Sequence, residues 1–251
     1  MHHFFIKEPP AEDVIYITGA DVNHIRTVLR MKEGEQILVS CLHDADYTCQ
    51  ITSVTPEQVA ARVLEVDREG RELPARIHLF QGVPKSDKLE WIIQKAVELG
   101  ASEIIPVQMQ HCVAKLDAKK IPAKCKRWEG IAESAAKQSK RSLIPEIHRP
   151  MEYKEALEYG RQMDLMLVPY ECAEGMAATK EAFSLVKPGM DIGIFIGPEG
   201  GFAPQEIDQA LHEGGRTISL GKRILRTETA GMAMIAALML QLEIESTVGL
   251  E

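Results

Sequence analysis

The stretch Ile192–Ile207, IGIFIGPEGGFAPQEI, decides how the chain is read. An apolar strand over 192–196 ends in Gly197-Pro198-Glu199-Gly200-Gly201, and a helix begins near Pro204, a favoured first-turn residue. Ligand sites in open α/β sheets lie beyond the carboxyl ends of strands, where this loop falls. Glycines let the backbone approach a ligand closely and adopt torsions closed to other residues. Five consecutive turn-type residues exceed what a plain strand-to-helix turn needs.

Two further segments have the same form. In Ile218–Met232, ISLGKRILRTETAGM, a short strand (Thr217–Leu220) reaches Gly221, and Lys222, Arg223 and Arg226 follow. Thr227 suits a helix N-cap, and Glu228 complements the dipole of the first turn. Arg226 stands against that dipole, which local structure does not explain. In Leu165–Glu171, LMLVPYE, a strand over 165–168 enters a proline turn. Upstream, Ile77–Val83 reads as a strand. Ser86 is placed to cap a helix ending at Leu99, with Gly100 as its stop and Leu89, Ile92, Ile93, Ala96 and Val97 as one apolar stripe. A strand at Ile104–Gln108 and helices over about 123–139, 176–186, 205–213 and 228–245 complete an alternation that implies a largely parallel sheet. The last helix is apolar nearly all round (Met232, Met234, Ile235, Leu238, Met239, Leu240, Leu242), which predicts burial or a shared dimer surface.

The N-terminal part reads differently. Short β-rich runs at Val14–Ile17, Gln36–Ser40, Tyr47–Val54 and Val59–Val66 surround one helical segment, Asp21–Met31, and suggest a small barrel. The charged stretch 67–74 reads as a linker, so residues 1–70 and 74–251 are the expected domains.

With 251 residues, 45% hydrophobic and 26% charged, the composition is that of a globular protein. Five cysteines without C-x-x-C spacing argue against a zinc site or a disulfide framework and predict reduced thiols. The N-terminus lacks the pattern of a secretory signal, and the apolar stretch 230–240 is short of the about 20 residues a bilayer requires. The predicted location is cytoplasmic. The net charge of −8 hides an uneven distribution: residues 1–72 carry −6, residues 111–149 carry +6 and residues 150–251 carry −8. A basic block inside an acidic protein is a candidate footprint for a polyanion.

Familiar nucleotide motifs fail. No G-x-G-x-x-G follows a strand, and Gly215–Arg223, GRTISLGKR, has the wrong spacing for a phosphate loop, with Arg223 where a magnesium-binding hydroxyl is required. Glu199 in a glycine cradle suits a neutral or cationic ligand better than a phosphate.

The pair IGPEGGF…EI and LGKRILRTETA resembles the RsmE-type RNA methyltransferases of the SPOUT superfamily. So do HIRTVLRMKEGE (24–35), KSDKLEWIIQKAVELGASEIIPV (85–107) and RWEGIAESAAKQSKRSLIPEI (127–147), so the resemblance spans nearly the whole chain. One departure is Gln110-His111, where relatives often carry Glu-Arg. The resemblance implies a small PUA-like β-barrel that binds RNA, followed by a SPOUT-type α/β domain with a C-terminal trefoil knot, in a homodimer. It implies methylation of N3 of one uridine in 16S ribosomal RNA, with S-adenosylmethionine as cofactor and the RNA or the small ribosomal subunit as partner. No metal or membrane is expected.

Carried over residue by residue, the cofactor loops are Val168, Pro169 and Tyr170; Ile196, Gly197, Pro198, Glu199, Gly200 and Gly201; and Leu220, Gly221, Ile224, Leu225, Arg226, Thr229 and Ala230. The chemistry requires loss of the N3 proton and support for charge on the flanking carbonyl oxygens. Arg226 is assigned the second task, and Glu199 or Glu228 the first, with water or an RNA phosphate as the alternative base. Arg26 and Arg30, Lys85 and Lys88, and Lys137, Lys140 and Arg141 are candidate phosphate contacts. The competing function is a non-catalytic RNA-binding or ribosome-assembly factor. It would tolerate loss of the loop glycines and of Arg226, all of which are present.

Overall fold

The computed structural model describes residues 1–10, 12–42, 44–173 and 175–247, which form two compact units. One comprises Met1–Glu72 with Ala136–Ile144, and the other Leu73–Ala135 with the chain from Pro145 onward.

The first unit holds β1 (His2–Ile6), β2 (Val14–Thr18), α1 (Ala20–Asn23), β3 (Gln36–Cys41), β4 (Asp46–Val54) and β5 (Gln58–Asp67). The sheet order is β1-β3-β4-β5-β2, antiparallel except for the parallel β1–β3 pair. Strand β2 alternates buried Ile15 and Ile17 with exposed Tyr16, as a sheet with one wet face must. Phe4, Ile15, Ile25, Ile37, Val39, Cys49, Ile51 and Val59 build its core. The helix expected over 21–31 is one α-turn followed by a π-helical segment, His24–Leu29, which ends at Arg30 with φ 55°. Strand β1 carries no sequence signal of its own, since its five residues have a turn signal on one side only.

The second unit contains β6 (Arg76–Gly82), α2 (Lys88–Glu98), β7 (Glu103–Gln108), α3 (Ile121–Ser139), β8 (Glu146–Ile147), β9 (Met151–Glu152), α4 (Tyr153–Gly160), β10 (Leu165–Pro169), α5 (Ala177–Ser184), β11 (Asp191–Ile196), α6 (Pro204–His212), β12 (Arg216–Ile218) and α7 (Thr227–Thr247). The end of α3 clusters with the first unit. All strand pairs of the second unit are parallel, in the order β12-β10-β11-β6-β7-β8, with β9 also on β7. Strand β6 is buried from Ile77 to Gly82, as expected of a central parallel strand covered on both faces. Phe80 and Phe195, on the neighbouring strands β6 and β11, stack at 4.2 Å between ring centroids.

Helix α2 buries the stripe read from the sequence. Gly100 follows it at φ +98°, a left-handed conformation that favours glycine, and a Cβ there would push on Leu73 Cδ1 at 2.7 Å. Ser86 does not cap α2: its φ is +56°, and the helix starts at Lys88 after Asp87 without a side-chain cap. Helix α7 is not buried all round. Met234, Ile235, Leu238 and Leu242 are fully buried, whereas Leu240 and Ile244 are more than half exposed. Among the described residues no helix is long and apolar enough to cross a membrane.

Candidate functional site

The sheet order puts β10 beside β11 and β12 beside β10, so three loops that are distant in sequence leave adjacent strand ends. They converge on one cavity of about 500 Å³, lined by Pro169, Ile196–Phe202, Ile224–Thr227, Ala230, Glu171 and Lys88. A smaller cavity of about 100 Å³ adjoins it and shares Pro169, Glu171, Ile224, Leu225 and Ala230. It adds Tyr170 and the turn 219–223.

Of the sixteen cofactor residues expected, fourteen line one cavity or the other. Val168 lies instead within the apolar core, and Thr229 is half-buried in the first turn of α7 without lining either cavity. Glu171, Phe202, Thr227 and Lys88 line the cavity without having been assigned to it. Glu171 closes the quoted segment 165–171, but only tertiary proximity gives it a role. Its carboxylate lies opposite Gly201, whose φ is +67° and where a Cβ would approach Glu171 Oε1 to 2.7 Å. The torsion favours glycine there, and a Cβ would displace the Glu171 carboxylate from the loop.

Thr227 serves a purpose other than capping. Its hydroxyl donates to the Gly197 carbonyl at 2.6 Å and accepts from Gln81 Nε2 at 2.8 Å. The amides of Thr229 and Ala230 donate to the Arg226 carbonyl, so Arg226 occupies the helix entry and its exposed side chain reaches the cavity wall. Gln81 is fully buried; its Nε2 also donates to the Gly82 carbonyl, and its Oε1 has no hydrogen-bond partner among the described residues. This relay ties the end of β6 to the loop after β11 and to the start of α7.

The acidic candidates differ in their surroundings. The Glu199 carboxylate accepts from the Lys85 amide at 3.1 and 3.3 Å and from Lys88 Nζ at 3.2 Å. Partial burial alone would raise its pKa, but its own amide, the Lys85 amide and Lys88 outweigh burial and hold it below the usual carboxylate range. Glu228 accepts from the same ammonium at 3.4 Å. Lys88 thus bridges two carboxylates at the cavity, a different environment from the open phosphate contact expected of it.

The remaining basic candidates separate into two groups. Arg26, Arg30, Lys85 and Lys140 have exposed side chains. Arg26 lies within the π-helical segment and Arg30 just past its end. Lys137 pairs with Asp21 at 3.1 Å. Arg141 is buried at 4% exposure, and its guanidinium grips Glu72 through Nε and Nη2, so it serves the first unit's interior rather than its surface.

A second polar cluster lies at the opposite ends of the strands. His78 is buried between Asp191 (2.8 Å) and Glu103 (3.1 Å), and Glu103 also accepts from His148 at 3.0 Å and Tyr159 at 2.6 Å. Burial pulls the His78 imidazole down, but the two carboxylates overcome it and leave its pKa raised. Burial likewise pushes Glu103 up, and the donors from His148, His78 and Tyr159 reverse this to well below the carboxylate range. Glu103, Glu146 and His148 bring ligand-type atoms within 4.8 Å of one another; His148 bonds Glu103 and lies 3.7 Å from Glu146, so the group also reads as an ion-paired cluster.

Residues 71–239 match the family model described as an RNA methyltransferase domain, and residues 17–64 match an RNA methyltransferase PUA domain. The chain is 39% identical over 242 residues to ribosomal RNA small subunit methyltransferase E of Bacillus subtilis, covering 95% of this chain and 93% of that one. It is 34% identical to the protein of the same name from Mesomycoplasma hyopneumoniae, covering 94% and 97%. A crystal structure of the Neisseria gonorrhoeae ribosomal RNA small subunit methyltransferase E bound to S-adenosyl methionine superposes with a TM-score of 0.82 at 30% identity, over 96% of this chain and 97% of that one. By domain content, sequence and architecture, this chain belongs to the ribosomal RNA small subunit methyltransferase E family.

Proposed function

We propose that this protein is an S-adenosylmethionine-dependent methyltransferase of 16S ribosomal RNA and that its target atom is N3 of one uridine. The observation that carries this reading is the convergence of the loops after β10, β11 and β12 on one cavity, in a chain whose solved relative holds S-adenosyl methionine. The residues present fit that cofactor. Gly197, Gly200 and Gly201 leave backbone at the wall, Ile196, Phe202 and Leu225 supply apolar surface, and Glu171 and Glu199 favour a cationic ligand. When bound, S-adenosylmethionine supplies a methyl group on a positively charged sulfur.

The protein's own residues have three tasks. The loops orient the reacting partners, which removes the entropic cost of alignment. Arg226, exposed at the wall beside the entry of α7, stabilises the charge that spreads onto the uracil carbonyl oxygens as N3 loses its proton. Glu199, at the cavity wall, and Glu228, which shares Lys88 with it, are the two candidate bases. Glu199 is already stabilised in its ionised form by two backbone amides and Lys88, which weakens its pull on a proton.

Arg26, Arg30, Lys85 and Lys140 are the proposed phosphate contacts, because their side chains are exposed. The trefoil knot is supported by the chain path. After edge strand β12 the chain returns to α7, whose first residue bonds both Gly197 and Gln81. Leu240 and Ile244 on the outer side of α7 support a homodimer. The proposed location is the cytoplasm, where the substrate is found.

The test is mass spectrometry of 16S RNA from cells lacking the protein, complemented with wild type or Arg226→Ala. We expect N3-methyluridine to vanish on deletion and return only with wild type. In vitro, Arg226→Ala should lower turnover by about 10²–10³ with cofactor affinity retained, the scale for one lost transition-state donor. Persistence of the modified base in the deletion strain would overturn the reading.

A further inference from the structure

The loop after β7 meets the loop after β11, although β6 lies between those two strands. The meeting point is His111. Its Nδ1 lies 3.0 Å from the Gly200 carbonyl oxygen and 3.2 Å from that of Gly201. Carbonyl oxygens only accept, so this nitrogen carries the proton and donates to both. Gly200 permits the approach, since a Cβ there would come within 2.9 Å of His111 Cβ.

The turn bearing His111 is itself anchored. The buried Glu206 carboxylate accepts from the Gln110 amide at 2.8 Å and from the Ala203 amide at 2.8 Å. It thereby joins this turn to the residue that precedes α6. The Met109 amide meets Cys112 Sγ at 3.3 Å, and the Cys112 amide donates to the Met109 carbonyl at 3.1 Å. The imidazole therefore projects from a short, braced turn.

We propose that His111 is a positioning residue for cofactor binding: its Nδ1–H fixes the carbonyls of Gly200 and Gly201 and so sets the two peptide planes that form the cavity wall. A peptide unit is planar and trans, so a carbonyl fixed toward His111 turns the next amide the opposite way. At these two positions no side chain restrains the backbone, and glycine has the widest torsional freedom of any residue. Thr227 holds the other end of the same loop through the Gly197 carbonyl. Without His111 the loop retains its Gly197 anchor, the Glu199 pairs and the Gly201 amide's bond to the Pro198 carbonyl at 2.9 Å; the Gly200 and Gly201 carbonyls lose their donor, the peptide that follows Gly201 samples more orientations, and a ligand must select the competent one. His111 lies outside the cavity lining, so it acts on the cofactor through the loop.

This inference rests on the proposed cofactor use, and the experiment separates the two. S-adenosylmethionine is titrated calorimetrically into wild type, His111→Ala and His111→Asn, with thermal melting of each variant without cofactor. An asparagine amide can place a donor where Nδ1 stands. The expected result is a cofactor Kd raised about two- to tenfold in His111→Ala, the scale of one net hydrogen bond. His111→Asn should restore most of that loss. In turnover assays the cofactor KM should rise while the RNA KM and kcat hold. His111→Ala binding like wild type, His111→Asn binding no better than His111→Ala, or an effect confined to the RNA KM would each overturn the role of His111. Failure of wild type to bind S-adenosylmethionine would instead overturn the proposed function.

Discussion

Replacing Thr227 by valine removes one hydroxyl and changes little else in shape. Two groups lose their partner: the Gly197 carbonyl and one N–H of Gln81 Nε2. Gln81 is fully buried, and its Oε1 has no hydrogen-bond partner among the described residues. An unsatisfied buried group costs about 1–3 kcal/mol; Gly197 is half-buried, which puts its carbonyl near the lower end. Together the loss is about 2–4 kcal/mol. Both tryptophans, Trp91 and Trp128, lie in the second unit, so fluorescence-detected urea denaturation reports on the unit that contains the relay. Thr227→Ser should stay near wild type. The double variant Gln81→Leu/Thr227→Val should lose less than the sum of the single variants, because both members of one bond are removed together and the Oε1 orphan with them. A Thr227→Val stability within about 0.5 kcal/mol of wild type, the range of an ordinary surface change, would refute the relay.

Three other predictions concern the regions outside the cavity. Arg141→Met leaves Glu72 without its buried guanidinium and should destabilise by about 2–4 kcal/mol, somewhat below a fully buried pair because Glu72 is partly exposed. Lys140→Ala should leave stability within about 0.5 kcal/mol yet lower the salt slope of RNA binding by about one, and urea melts with salt-dependent RNA titrations check both. The His78 cluster predicts a pH profile. The raised His78 pKa contributes stability that is complete below its ordinary value of about 6.5 and is lost as pH climbs through the folded value. Glu103 acts the other way, contributing above about 4.3 and losing its contribution as pH falls through its depressed folded value. Urea denaturation of wild type and His78→Gln across pH should show wild type losing its advantage on the alkaline side. A constant difference between the two would contradict the assignment.

Much of the site was legible because its signals are local. An apolar strand that ends in Gly197-Pro198-Glu199-Gly200-Gly201, with Pro204 opening the next helix, contains torsions and a periodicity that need no partner to be recognised. The stripe on α2 was equally plain, since five residues at helical spacing bury one face whatever lies opposite. Arg226 is legible as well, because a cation at a helix N-terminus stands against the helix dipole.

What failed to show in the sequence was pairing across distance. A lysine at 88 has the same letter whether it faces solvent or bridges Glu199 and Glu228, and an arginine at 141 reads as surface charge until Glu72 is found beside it. Thr227 fits the rule for an N-cap, yet its hydroxyl is used by Gly197, thirty residues upstream. The chain alone determined the strands and helices that flank the site loops, because backbone torsion and hydrophobic period are properties of neighbours in sequence; β1, the short β8 and β9, and α4 carry no such local signal. Only the tertiary structure decided which charges are free and which peptide groups are held, because desolvation and hydrogen bonding depend on what lies within about 3 Å in space.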